Sequence, residues 1–264
     1  MFFRVGFECD ERDSLQRRLD DLYGYRDDVE TRVLHRLRLN LFFRLLGELV
    51  ADLVVTRFDS ALDIGCNAGV YSKILSDFGF HRVEGIDIDQ GQIAKARAAF
   101  ATAAPERTIE FRVENAEELD RSRRYDFVLC TEVIEHTSRP VRVAENLAAA
   151  LGPGGVAVVT LPNAFSLPYA LARVAHRLKR NPHDPVFDDH LKYPFWRALK
   201  LFDAHGLAVV RTTGTNLLLD ARLLKTLART PLLAPLSRAQ FALARRWPLK
   251  YAAMFFYMVL RRRK

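Results

Sequence analysis

Apolar side chains recur along this chain with two periods, and the points where the period changes mark its elements. Over residues 11–58, Leu15, Leu19 and Leu22, then Val33, Leu37, Leu41, Leu45 and Leu49, return at helical spacing among charges. That spacing predicts helices with one buried stripe, divided near Gly24. From residue 60 to about 214, short apolar runs alternate with helical patterns. The runs predict strands over 61–65, 82–88, 109–113, 125–131, 156–161 and 207–213. Helices are expected between them over 69–78, 90–102, 140–151 and 194–205. Strands alternating with helices imply a mostly parallel, doubly wound sheet covered on both faces. Residues 216–248 read as apolar and basic helices broken by Pro231, Pro235 and Pro248. The apolar run 251–260 is half a membrane span and reads as a last, antiparallel sheet strand. The expected organisation is a helical cap over 1–57, an α/β core over 58–214 with a lid insertion at 163–193, and a tail over 215–264 that ends in the final strand.

Composition narrows the class without choosing a function. The chain has 264 residues, 49% hydrophobic and 27% charged, which suits one globular domain with an appended segment. Its three cysteines, Cys9, Cys66 and Cys130, are odd in number and lack metal-ligand spacing, which fits a reducing, cytoplasmic setting. Met1, Phe2, Phe3, Arg4 and Val5 lead into no long apolar core, so a signal peptide is not expected. The net charge of +8 fits an anionic substrate, nucleic acid or a membrane surface, and solubility explains it equally well. Arg261, Arg262, Arg263 and Lys264 could touch anionic lipid; as a solvated tail they need no partner.

In such sheets, ligands bind beyond the carboxyl ends of the strands, and the chemically expressive residues of this sequence collect there. Asp63 closes the first strand and precedes a turn containing Gly65, Cys66, Asn67 and Gly69. Gly65 can take backbone angles closed to other residues, and Gly69 allows the next helix to sit close to the strand. Asp63 can orient the turn amides or face a ligand ammonium. Asp87, followed by Ile88 and Asp89, stands about twenty residues beyond the glycine turn, where an acid reaches ribose hydroxyls. Asp89 suits the cap of the following helix better. Asn115 and Ala116 follow the third strand and could meet an adenine edge; a plain turn explains them nearly as well. After the fourth strand come Thr131, Glu132, Glu135 and His136, more polar chemistry than a strand end needs.

These motifs resemble the class I S-adenosylmethionine (SAM)-dependent methyltransferases. The resemblance covers roughly residues 58–214 and rests on Asp63-x-Gly65-x-x-x-Gly69, Gly85-x-Asp87, Asn115-Ala116-Glu117 and Leu151-x-Pro153-Gly154-Gly155, in the family's order. It implies a Rossmann-like seven-stranded sheet. It also implies that Asp63 and the loop from Gly65 through Cys66 and Asn67 to Gly69 hold the methionine part of SAM, Asp87 and Ile88 the ribose, Asn115 and Ala116 the adenine, with Thr131 near the methyl group. Asn67 replaces a glycine, and Asn115 an aspartate, that many members carry. A dinucleotide oxidoreductase would want glycine near position 67 for a pyrophosphate, whereas SAM carries no phosphate.

Methyl transfer to a hydroxyl requires alignment and removal of a proton. His136, with Glu135, is the candidate base. Were 132–136 helical, Glu132 would share a face with Glu135 and His136. Glu132-x-x-Glu135-His136 is similar to the ubiquinone-biosynthesis O-methyltransferases, whose acceptors are polyprenylated phenols. It is also similar to metal-dependent RNA 2′-O-methyltransferases, in which case Glu132, Glu135, His136 and His190 would hold Mg²⁺ or Mn²⁺. Apolar lid residues such as Phe165, Leu167, Tyr169 and Leu171 suit an aromatic or lipid-linked acceptor, or pack the lid. Arg173, Arg177, Lys179 and Arg180 offer charge without the stacking surface RNA needs. The expected function is therefore O-methylation of a small-molecule or lipid-linked hydroxyl. An RNA substrate is the alternative, and a non-catalytic SAM-binding regulator is a third reading.

Overall fold

A computed structural model describes residues 22, 29–104, 106–178, 194–215, 217, 226–227 and 230–263. Its elements in chain order are α1 (Val29–Ala51), β1 (Ser60–Ile64), α2 (Val70–Phe78), β2 (Arg82–Asp87), α3 (Gln90–Phe100), β3 (Thr102–Ala104) and β4 (Arg107–Val113). They continue with β5 (Tyr125–Thr131), α4 (Pro140–Ala150), β6 (Leu151–Pro162), α5 (Leu167–Leu178), α6 (Phe195–Ala204), β7 (Leu207–Thr215), α7 (Leu233–Leu243) and β8 (Phe255–Arg262). One sheet runs in the order β3-β4-β2-β1-β5-β6-β8-β7. The pairs from β4 through β6 are parallel. β8 runs antiparallel to both β6 and β7, as expected of the last strand.

Alternation along β5 shows why the sheet is covered twice. Phe127 and Leu129 join one apolar cluster, which takes in Leu45, Leu46 and Leu49 of α1, Ile74 of α2 and Ile93 of α3. Val128 and Cys130 point the other way, into a cluster holding Leu147 of α4 and Phe202 of α6. With both faces buried, the strands read as continuous apolar runs, and all five β1 residues are buried.

The seven expected strands are present, and the three-residue β3 extends the sheet antiparallel to β4. The helix expected over 90–102 stops at Phe100 because β3 begins at Thr102. Asp89 caps it, accepting from the Gly91 and Gln92 amides at 2.7 and 3.1 Å. β6 starts at Leu151, earlier than expected, since Leu151 pairs with Tyr125 across a bulge. β8 starts at Phe255 because Leu249–Ala252 forms a 3-10 turn. Within the insertion expected at 163–193, α5 is helical; residues 179–193, and the expected helix and Gly24 break over 11–28 apart from Leu22, lie outside the described residues. At the basic end, Arg261 donates to the Val54 carbonyl at 2.5 Å and Arg263 pairs with Asp203, so both are engaged by the fold.

Gly69 sets how close α2 lies to the sheet. Its φ is +83°, and a Cβ there would meet the Phe111 ring at 2.7 Å and the Ala96 methyl at 3.0 Å. Gly69→Ala therefore combines left-handed strain with overpacking and should destabilise by about 2 kcal/mol, lowering Tm by roughly 5 °C. The double variant with Phe111→Leu should lose less than the sum of the single changes. Additive losses in a thermal melt would show that contact with Phe111 is not the cause.

Candidate cofactor site

At the carboxyl edge of the sheet, where β1 sends the chain one way and β5 the other, a cavity of about 560 Å³ opens. One wall is the loop after β1. Gly65 has φ +71°, and a Cβ there would fall 2.2 Å from Val133, so no larger residue fits. The Gly65 and Cys66 amides donate to the Ile86 carbonyl at 2.8 and 2.9 Å, tying the loop to β2. Asn67 follows at φ +48°, the left-handed region that asparagine tolerates better than most residues. Its Oδ1 accepts from the Ala68 amide at 2.6 Å. This explains how asparagine serves where the resemblance implies a glycine: the position needs the backbone angle, and Asn67 supplies it with its own side-chain bond.

Asp87, at the end of β2, faces the same cavity. One carboxylate oxygen accepts from the Asn67 amide at 2.9 Å and the other from the Asp89 amide at 2.9 Å, so its orientation is fixed before any ligand arrives. Ile88 beside it is 71% exposed, an apolar surface open to a flat ring. Asn115 and Ala116 form the next part of the wall. The Asn115 Oδ1 accepts from the Glu117 amide at 2.9 Å, so the side chain caps the 3-10 turn Ala116–Glu118 and keeps one lone pair for a ligand.

Two residues of the expected cofactor set stand behind the wall. Gly69 acts through packing, as described above. Asp63 is fully buried; its Oδ2 accepts from the Ser72 hydroxyl at 2.7 Å, and its Oδ1 has no partner. Burial, with a smaller push from Asp87, lifts its carboxyl to about 7. Burial also pushes the Cys66 thiol up, with Asp63 and Asp87 adding to it.

The opposite wall is built after β5 from Thr131, Glu132, Val133 and His136. No helix forms over 132–136. Glu132 has φ +52°, and only Ile134–His136 makes a single 3-10 turn. The face that a helix would have given Glu132, Glu135 and His136 in common is therefore absent. Glu132 forms an ion pair with Arg38 of α1. Glu135 turns into the protein, 4% exposed and off the cavity wall, and burial raises its carboxyl to about 8. His136 remains exposed on the wall. The expected metal set is corrected accordingly: among the described residues no three His, Cys, Asp or Glu side chains converge to hold a metal, and His190 lies outside them.

Family comparison agrees with this geometry. Residues 29–212 match the methyltransferase domain family. The chain belongs to that family, as a class I SAM-dependent member. It is 30% identical over 164 residues to the ubiquinone biosynthesis O-methyltransferase of Rickettsia conorii, covering 60% of this chain and 54% of that protein. It is 37% identical over 113 residues to the Bradyrhizobium diazoefficiens enzyme of the same name, covering 43% and 44%. The chain thus spans about half the length of these curated relatives. Its fold is similar to that of magnesium protoporphyrin IX methyltransferase from Synechocystis, solved with bound S-adenosylhomocysteine (SAH), at a TM-score of 0.61 and 16% identity over 96% of this chain and 98% of that one.

The cavity also holds residues that motif reading passed over. His35 and Arg38 come from α1, Tyr71 from α2, and Ser138 from the loop after His136. Periodicity alone does not single out Arg38 from Arg32, Arg36 and Arg44 in the same segment. Its signal was local: Leu34, Leu41 and Phe42 stand at its i−4, i+3 and i+4 positions, which puts a charge on the buried stripe. Its guanidinium stacks 5.0 Å from the Phe255 ring centre. Burial works against its charge, and Glu132 together with Tyr71 and Tyr257 outweighs that, raising the pKa further.

Proposed function

We propose that this chain transfers the methyl group of SAM to a hydroxyl oxygen of a small-molecule acceptor, aromatic or lipid-linked. The observation that carries this reading is the cavity itself, with an oriented Asp87 on one side and an exposed His136 on the other. Bound SAM supplies an electrophilic methyl on a sulfonium, so the chain need only align an oxygen lone pair with the carbon–sulfur bond and remove one proton. In this reading Asp87 accepts from both ribose hydroxyls, Ile88 lies against the sugar and ring, and Asn115 with the Ala116 amide meets the adenine edge. Arg38, the only Arg or Lys on the described wall, takes the methionine carboxylate, sharing its guanidinium with Glu132. Thr131 borders the methyl. His136 takes the acceptor's proton as the oxygen–carbon bond forms and the carbon–sulfur bond breaks, leaving SAH. Glu135, buried and turned away, supports the 3-10 turn that presents His136. The deciding experiment is a radiolabelled methyl-transfer assay over phenol, sugar, lipid and RNA pools. Label in the phenol or lipid pool is expected; label confined to RNA would overturn the acceptor class.

Asp63 gives the reading a pH signature. Its unpartnered oxygen lies behind the Gly65 wall, suited to the ammonium of the methionine group directly or through a water. Without ligand the carboxyl holds its proton up to about pH 7. Binding a cation requires the carboxylate, so SAH affinity should fall as pH drops below 7, by roughly tenfold at pH 5.5, and binding near pH 6 should release protons. Calorimetry in two buffers of different ionisation enthalpy reads that release. Asp63→Asn should flatten the profile, and an unaltered slope in that variant would assign the proton elsewhere.

A further inference from the structure

Asn163, the residue after β6, is 1% exposed, and each of its polar groups is engaged. Its Nδ2 donates to the Tyr251 and Ala253 carbonyls, both at 2.8 Å, and its backbone amide donates to the Met254 carbonyl at 2.8 Å. Those three acceptors form the corner that leads into β8. Towards α5, the Asn163 Oδ1 accepts from the Phe165 amide at 3.1 Å and its carbonyl from the Ser166 amide at 3.1 Å. Ser166, fully buried, passes the constraint on. Its hydroxyl accepts from the Tyr169 amide at 3.3 Å and its carbonyl from the Ala170 amide at 2.9 Å, closing the first turn of α5. A helix start needs only a cap; here the cap is tied to a corner of the chain 88 to 90 positions further on.

That first turn carries Tyr169. Leu167, Leu171 and Val174, 39%, 62% and 55% exposed, mark the outer face of α5. Tyr169 lies two residues from both Leu167 and Leu171, about 200° round the helix, and is half-buried on the inner face. There it is close enough to Glu132, Arg38 and Glu135 to feel their charges, and burial with Glu132 pushes its phenol up to about 12. It therefore stays protonated at neutral pH, offering a ring face and one O–H donor beside the wall that Glu132 and His136 share. β8 depends on Asn163 less than α5 does. Phe255 pairs with Pro162 of β6 on one side and Thr215 of β7 on the other, so the ring that stacks on the Arg38 guanidinium has its own support.

We propose that Asn163 is a positioning residue for the methyl acceptor: it ties the first turn of α5 to the corner before β8, so that Tyr169 stands at the acceptor end of the cavity. The tie stands on the hydrogen bonds; the role at the acceptor rests on the methyl-transfer reading above. Asn163 itself lies off the cavity wall and acts through Tyr169, which meets the acceptor.

The test is a double-mutant cycle on the full chain, using the acceptor that the parent labels in the pool assay. Asn163→Ala and Tyr169→Ala should each raise the acceptor KM about tenfold, and the double variant should be little worse than either, because both changes remove one interaction. SAH affinity should stay within about threefold, since the cofactor wall is untouched. Hydrogen exchange followed by mass spectrometry should run about tenfold faster over residues 165–170 in Asn163→Ala, with β1 unchanged. If Asn163→Ala does not fold, Asn163→Ser, which keeps a donor for one carbonyl, runs the same cycle. KM effects that multiply in the double variant would show that Asn163 does not act through Tyr169 and would overturn the proposal. So would unaltered exchange over 165–170, or a fall in SAH affinity as large as the rise in KM, which marks a residue that only supports the fold. A parent that labels no pool would instead sink the methyl-transfer reading, and the exchange comparison would still decide whether Asn163 fixes α5.

Discussion

Asp87→Ala is expected to weaken SAH binding about a hundredfold, the loss of two hydrogen bonds to an ionised acceptor. The case rests on preorganisation. Both carboxylate oxygens are already held by the Asn67 and Asp89 amides, so a ribose would meet a group that needs no reorientation. In the variant those amides sit in exposed positions and can turn to water, so thermal stability should change little while affinity collapses. Asp87→Asn should fall between, because an amide oxygen still accepts but without charge. Calorimetric titration with SAH decides it. An Asp87→Ala protein that binds SAH as the parent does would remove this carboxylate from the site, and the ribose would have to be sought elsewhere on the wall.

His136→Ala should lower turnover by about 10²- to 10³-fold, within the range for removing a positioned general base. SAH affinity should stay within about twofold, because the base meets the acceptor and makes no bond that the cofactor requires. The readout is a pair of measurements, turnover on the acceptor found in the pool assay and SAH titration on the same preparation. If turnover survives intact, the acceptor proton leaves by another route. A parallel fall in SAH affinity would make His136 a residue that shapes the cavity rather than one that moves a proton.

Much of this architecture was legible because parallel strands buried on both faces leave apolar runs, as β1, β5 and β6 do, while β4 places Ile109, Phe111 and Val113 at every second position. The edge strand β3 does neither: Thr102, Ala103 and Ala104 carry too little apolar signal to stand out, and their pairing with β4 is a tertiary event. On one cavity wall, Gly65 and Asp87 could be read from spacing because the backbone itself makes the turn that presents them, and Asn115 from the resemblance. The acceptor side resisted. Side-chain direction around Glu132 and Glu135 depends on one left-handed residue and one 3-10 turn, and no periodicity encodes either. Helical spacing would have joined the two acids; the actual chain sends one to Arg38 and the other into the core. Arg38 lies 94 positions before its partner Glu132, a pairing that exists only once α1 has packed across the sheet.

The place of β8 has a consequence for how the chain is made. β7 pairs with β8 alone, and β6 has β8 as its outer neighbour. As the polypeptide emerges from the ribosome, β6 is complete at Pro162 and β7 at Thr215, yet neither can meet the other directly. Throughout the synthesis of the segment up to Phe255, β6 stays an open edge and β7 a strand without a sheet. These are long-range pairings, slow to form and prone to capture by neighbouring chains. The last of the described strands is therefore the one that joins β6 to β7, and its apolar core of Phe256, Tyr257, Met258, Val259 and Leu260, all fully or almost fully buried, locks two sequence-distant strands in one step.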